Sequence, residues 1–121
     1  GRPGIYSARW SKKYGNFNKA GKKIIELVKN KNKNKKIKNT KAKFVCSLTF
    51  FLNSFKKYTV TGIIKGNISD RLLGSNGFGY DPIFIPKGEK KTFGQMNKKK
   101  KILMDHRFLA FKKLKFKINT L

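Results

Sequence analysis

Acidic side chains are scarce in this sequence: its 121 residues hold only Glu26, Asp70, Asp81, Glu89 and Asp105, beside one histidine, His106, and one cysteine, Cys46. That shortage excludes a good deal of chemistry. A structural zinc site needs about four Cys or His ligands, and a glycosidase needs two carboxylates flanking the bond it cuts. Neither set exists here at a workable spacing. A Ser-His-Asp triad can be assembled on paper, but no G-x-S-x-G elbow supports it, and no Walker-type phosphate loop is present. Cys46 lies in the apolar run FVCSLTFF with no second cysteine to pair with, so we expect a small buried hydrophobe in a reducing compartment. Long apolar runs are missing too; none approaches the roughly 18 to 20 residues that span a bilayer. These absences lead us to expect a soluble, cytoplasmic protein with no membrane partner.

What replaces acid is lysine. The chain carries 27 Lys against four Arg, together with 11 Asn, and its formal net charge is +26. A footprint of lysines on phosphates is the functional reading of such a charge. The competing reading is codon usage, because Lys, Asn, Ile and Phe share A/T-rich codons. Readers of nucleic acid lean on Arg for bidentate contacts, and Arg is sparse here. We therefore give codon bias more weight and do not expect nucleic acid as the partner. A basic nucleic-acid-binding module remains the alternative, with the Phe/Lys-interleaved FLAFKKLKFK as its support.

The length suits one domain or part of one. The chain opens on GRPG rather than Met, from which we expect a natural N-terminus further upstream. Residues 1–15 read as a loop or short helix start, with Pro3 and Gly4 setting a turn. Asn16 or Asn18 can cap a helix through about Lys29, since Ile24, Ile25 and Val28 share a face. The Lys/Asn run from Lys29 to Lys43 reads as a solvated surface loop. Lys43–Leu52 and Tyr58–Lys65 are rich in β-branched and aromatic residues and should pair as a hairpin around 53–57. Gly66–Leu73 should continue the sheet and Pro82–Ile85 should form a short strand ended by a turn at 86–88. Asp105 should cap a last helix with His106, Leu109, Ala110 and Leu114 on one side. The fold class is α/β with a mixed β-sheet.

One stretch, NGFGYDPIFIP from Asn76 to Pro86, keeps glycines, aromatics and an Asp-Pro amid the lysines. Phe78, Tyr80 and Asp81 on this glycine-flexed loop, with Lys101, His106 and Arg107 further on, suit a nucleotide. Aromatic faces stack a base at about 1 to 3 kcal/mol, and the cations and a helix N-terminus supply donors. Each residue also has a bland reading: core aromatics, a turn aspartate before Pro82, a core histidine.

Four segments decide more than any single residue. PGIYSARW (Pro3–Trp10), KFVCSLTF (Lys43–Phe50), GSNGFGYDPIFIPKGEKKTF (Gly74–Phe93) and KILMDHRFLAFKKL (Lys101–Leu114) occur in the order and rough spacing of the noncanonical purine nucleoside triphosphate pyrophosphatases. Nearly end to end, the chain resembles this inosine triphosphatase (ITPase) family. The resemblance implies an elongated mixed β-sheet flanked by helices, a nucleotide cleft between two lobes, and a homodimer. It also implies Mg2+-dependent hydrolysis of ITP, dITP and XTP to the monophosphate and pyrophosphate, which cleanses the nucleotide pool. Carried over position by position, the substrate-binding set is Phe78, Gly79, Tyr80, Asp81, Lys101, His106 and Arg107. A stacked ring takes any purine, whereas donors such as His106 and Arg107 at the six-position reward a keto oxygen and oppose the amino group of adenine. Asp81 either accepts from the ring N–H of the base or holds the loop; Lys101 meets either base or phosphate.

The resemblance has departures. Asp105 stands where the family commonly has Ser, and NKKKK (Asn97–Lys101) replaces an acidic stretch. The family's Gly/Asn/Lys phosphate motif, metal-binding Glu and Asp-Asp-Ser-Gly segment have no counterpart here, so the N-terminal part of the fold is expected to be missing. Residues 1–121 are then the C-terminal portion of a single ITPase-like domain, holding its base-recognition half. We expect neither the catalytic general base nor a metal ligand in this chain, and slow turnover from it alone. A decayed gene remnant is the further alternative.

Overall fold

A computed structural model describes residues 2–121 of the chain. They form two compact units, one of Gly1–Ala42 with Gly66–Met96, the other of Lys43–Lys65 with Asn97–Leu121. Three strands, β1 (Lys41–Phe51), β2 (Lys57–Ile68) and β3 (Phe84–Pro86), form one sheet in the order β1-β2-β3. Helices accompany them: α1 (Ser7–Tyr14), α2 (Phe17–Asn32), α3 (Lys98–Ile102) and α4 (His106–Asn119). The expected α/β class holds. Among the described residues no helix is long and apolar enough to cross a membrane.

In the first unit, of the loop or short helix start expected over residues 1–15, the helix is what residues 4–14 form. A 3-10 turn over Gly4–Tyr6 leads into α1, where Trp10 and Tyr14 meet edge-on one turn apart at 5.6 Å, and Gly15 (φ +112°) ends the helix. Asn16 caps α2 by accepting from the Lys19 N–H at 2.8 Å. Ala20, Gly21, Ile25 and Asn32 are the buried positions of this helix, while Ile24 and Val28 are half-buried.

The expected Lys29–Lys43 loop is shorter than its composition suggests. Helix α2 runs to Asn32, whose buried amide donates to the Asn39 carbonyl (2.8 Å) and accepts from the Asn39 N–H (2.9 Å). Residues 33–40 are thus pinned at both ends, and β1 begins at Lys41.

The expected strand at Gly66–Leu73 stops at Ile68. Ser69 donates its N–H to the Ile83 carbonyl (2.8 Å) and its hydroxyl to the Arg71 carbonyl (2.7 Å), which turns the chain out of the ladder. The strand expected at Pro82–Ile85 also begins later: Asp81–Ile83 is a 3-10 turn, as the fixed φ of Pro82 favours, and β3 starts at Phe84. β3 lies antiparallel to the end of β2, with Gly66 opposite Pro86 and Ile68 opposite Phe84. Phe84 and Phe93, both fully buried and stacked at 5.5 Å, form the centre of this unit's core with Ile83 and Met96.

In the second unit the hairpin is as expected. Leu52 N–H donates to the Lys56 carbonyl at 2.9 Å, and Asn53 Oδ1 accepts from Phe55 and Lys56 N–H groups to shape the turn. Thr49 faces Thr59 and Ser47 faces Thr61 through hydroxyl contacts of 2.7 and 3.0 Å, while Phe50 stacks on Tyr58 at 5.3 Å. Burial alternates strictly along β1, placing Phe44, Cys46, Leu48 and Phe50 on the inward face. Cys46 is half-buried rather than buried, because that face is only partly covered. α4 lies against β2 so closely that a Cβ on Gly62 would collide with the backbone at His106 and Ala110. The short helix α3, on the lysine run 98–101, was not anticipated; Asn97 caps it by accepting from the Lys99 N–H at 2.8 Å.

Candidate functional site

The glycine-rich loop of the first unit is built around Asp81. This side chain is 3% exposed, and its Oδ2 accepts from the Phe78 N–H at 3.0 Å while the Asp81 N–H donates to the Phe78 carbonyl at 3.2 Å. The carboxylate occupies the place that a Cβ on Gly77 (φ +74°) would take, so only glycine fits there. Of the two roles expected for Asp81, holding the loop is the one these contacts perform. Phe78, fastened by both hydrogen bonds, presents a ring 56% exposed. Gly79 (φ +63°) turns the chain beside it.

Tyr80 points elsewhere. Its hydroxyl donates to the Ser7 carbonyl at 2.6 Å, and its ring meets Phe17 edge-on at 5.2 Å and 89°. Burial pushes its phenol pKa above the ordinary value, since the charged form would be poorly solvated there. The loop is tied further by Asn76, which donates from its N–H to Gly94 O (2.9 Å) and from its side chain to Met96 O (3.0 Å). Thr92 closes a capping box with Gln95 and donates its hydroxyl to Leu73 O at 2.6 Å. Between this loop and the first turn of α2 lies a cleft of about 200 Å³ with Phe17, Asn18 and Phe78 in its walls.

The remaining three expected residues belong to the second unit. Lys101 is buried, with its Nζ 3.9 Å from Asp105 Oδ2. Asp105 also caps α4 by accepting from the Phe108 N–H at 2.8 Å. One carboxylate therefore starts the helix and faces the lysine. His106 opens α4 with its ring 5.2 Å from Phe44 and its Nδ1 buried, and Arg107 beside it is exposed. Ser7 and Phe17 are the members that residue-type reasoning passed over, while Asp105 was read as a helix cap and not as the partner of Lys101. Lys101 and Asp105 stand at i,i+4, a spacing at which ion pairs form, so that pair was open to detection.

As for Mg2+, no group of three or more His, Cys, Asp and Glu that could hold a metal occurs among the described residues. Asp81 holds Phe78, Asp105 caps a helix beside Lys101, Asp70 pairs with Arg71, and Glu26 pairs with Lys23. These residues do not fit a metal site of their own.

Residues 1–117 match the model of the Ham1 family. The chain belongs to that family. It is 38% identical over 115 residues to the dITP/XTP pyrophosphatase of Clostridium perfringens, covering 95% of this chain and 54% of that protein. The solved structure of the Staphylococcus aureus Ham1 protein superposes with a TM-score of 0.77 at 36% identity, over 99% of this chain and 59% of that one. A HAM1 protein from Coxiella burnetii shares the fold, with a TM-score of 0.86 at 24% identity over 99% of this chain and 60% of that one. The chain spans about half the length of the curated relatives it matches. The Ham1 match carries the ITPase-family reading of the four motif segments.

Proposed function

We propose that this chain is the C-terminal, base-recognition portion of an ITPase-like domain that hydrolyses noncanonical purine nucleoside triphosphates, ITP, dITP and XTP, to the monophosphate and pyrophosphate. The observation that carries this reading is the loop at 76–81: a buried aspartate and a glycine that admits no side chain hold one phenylalanine ring out to solvent. Such an arrangement suits stacking on a flat base. Phe78 stacks on the purine, and Gly79 lets the backbone approach it. Asp81 and Tyr80 act by fixing the loop. Lys101, His106 and Arg107 complete the set on the strength of the family motif. His106 and Arg107 donate to the keto group, and Lys101 meets base or phosphate from its place beside Asp105.

Mg2+ is the metal the family resemblance implies for whole members, with ligands outside these residues. A homodimer and a cytoplasmic location belong to the same proposal. The test is nucleotide-dependent stabilisation: ITP should raise the melting temperature of the 121-residue protein more than ATP at equal concentration. Equal shifts would sink the base-recognition reading. Salt-sensitive binding to any polynucleotide, with no preference between the two nucleotides, would favour the nucleic-acid module instead.

A further inference from the structure

The cleft beside the loop has a second aromatic wall. Phe17 is the first residue of α2, placed by the Asn16 cap, and its ring is held edge-on to Tyr80, which is itself tied to Ser7 O. Phe17 is 37% exposed and Phe78 56% exposed, and both line the same cleft of about 200 Å³. Sites that enclose a whole small ligand usually measure about 300 to 1,000 Å³. This one is a smaller, open cleft that suits the face of a flat ring system, with the ring's edge, the sugar and the phosphates outside it. Asn18, on the same turn, brings an amide that can both donate and accept.

We infer that Phe17 is a specificity-determining residue of a base slot: the purine enters between the first turn of α2 and the 74–79 loop, and the Phe17 ring is the second face against which a larger base gains more contact than a smaller one. The inference rests on the reading that Phe78 receives a purine, and adds to it the residue that bounds the slot. The ring has no backbone role that another apolar residue could not fill, so exchanging it changes the slot without removing the helix. Phe17→Leu keeps apolar bulk against Tyr80, and Phe17→Ala opens the space.

Titration calorimetry on the 121-residue protein with ITP and with the smaller-based UTP separates the possibilities. Phe78→Ala and Phe17→Ala should each weaken ITP by about tenfold, the scale of one lost base stack. Phe17→Ala should also cut the preference for ITP over UTP severalfold, with Phe17→Leu between it and the wild type. A merely structural role would lower both nucleotides alike, leaving their ratio unchanged, and would overturn the inference. If Phe78→Ala weakens ITP while Phe17→Ala binds as the wild type does, the inference falls and the base-recognition reading stands. If the wild type does not bind ITP, or if neither variant alters binding, that reading falls with it.

Discussion

The segment from Gly66 to Met96 and the rest of the chain differ sharply in charge. Residues 66–96 hold Arg71, Lys87, Lys90 and Lys91 against Asp70, Asp81 and Glu89, a net charge of +1 in a chain of +26. The same segment is tightly packed at its backbone. Gly66 and Gly74 lie where a Cβ would collide with the backbone of Ile85 and of Gly94, and a Cβ on Gly94 would come within 2.7 Å of Leu73 O. Backbone packed on backbone leaves no space for any side chain. In the second unit Gly62 is packed as closely against α4, but the hairpin and α4 also leave Phe51, Phe55, Phe111 and Phe116 exposed at 71, 96, 58 and 72%. Substitutions at such exposed positions should cost little.

That contrast can be broken at its strongest point. Gly74→Ala places a Cβ into Gly94 at a φ of +87°, combining a backbone clash with a disfavoured conformation. We expect a loss above about 4 kcal/mol, enough to abolish cooperative unfolding in urea; a loss below 1 kcal/mol would show that the loop yields. Gly62→Ala puts the same test to the second unit, where the added atom meets α4 near His106 and Ala110. Its cost should be nearer 1 to 3 kcal/mol, the range of an overpacked core, with faster hydrogen exchange in α4 as the readout.

A smaller effect comes from pH. Tyr80 in the fold holds its proton above the ordinary phenol value of 10.0. The unfolded chain releases that proton first, so this contribution is complete below pH 10 and is lost as pH rises towards the folded pKa. Melting temperatures measured from pH 8 to 11 should fall less steeply for Tyr80→Phe than for the wild type; parallel curves would contradict this. The smallest effect belongs to the permissive side of the comparison. Phe116→Ala, at a ring 72% exposed, should change stability by no more than about 0.5 kcal/mol by urea titration.

Legibility in the sequence follows the same division. Features carried by neighbours along the chain were readable: the Asn16 and Asp105 caps and the 53–57 turn all depend on residues a few positions apart. The site residues on the 76–81 loop were readable as types, while their division of labour was not. Phe78 faces outward because Asp81 fastens its amide, and Tyr80 faces Ser7, which is 73 residues away. Gly62 and Gly74 look like ordinary punctuation until the element pressed against each is known. Lysine runs misled in both directions, hiding α3 and lengthening the apparent loop after α2, because solvated lysine is compatible with helix and loop alike.

The shared space at Gly77 and Asp81 carries a consequence for how this protein can change over generations. The carboxylate stands where the glycine's side chain would be, so a larger residue at 77 displaces the group that holds Phe78, and a smaller residue at 81 leaves an amide to be satisfied by something else. Changes at the two positions should be strongly non-additive. A lineage drifting one codon at a time has no easy first step at either position, and the pair is inherited as a single character.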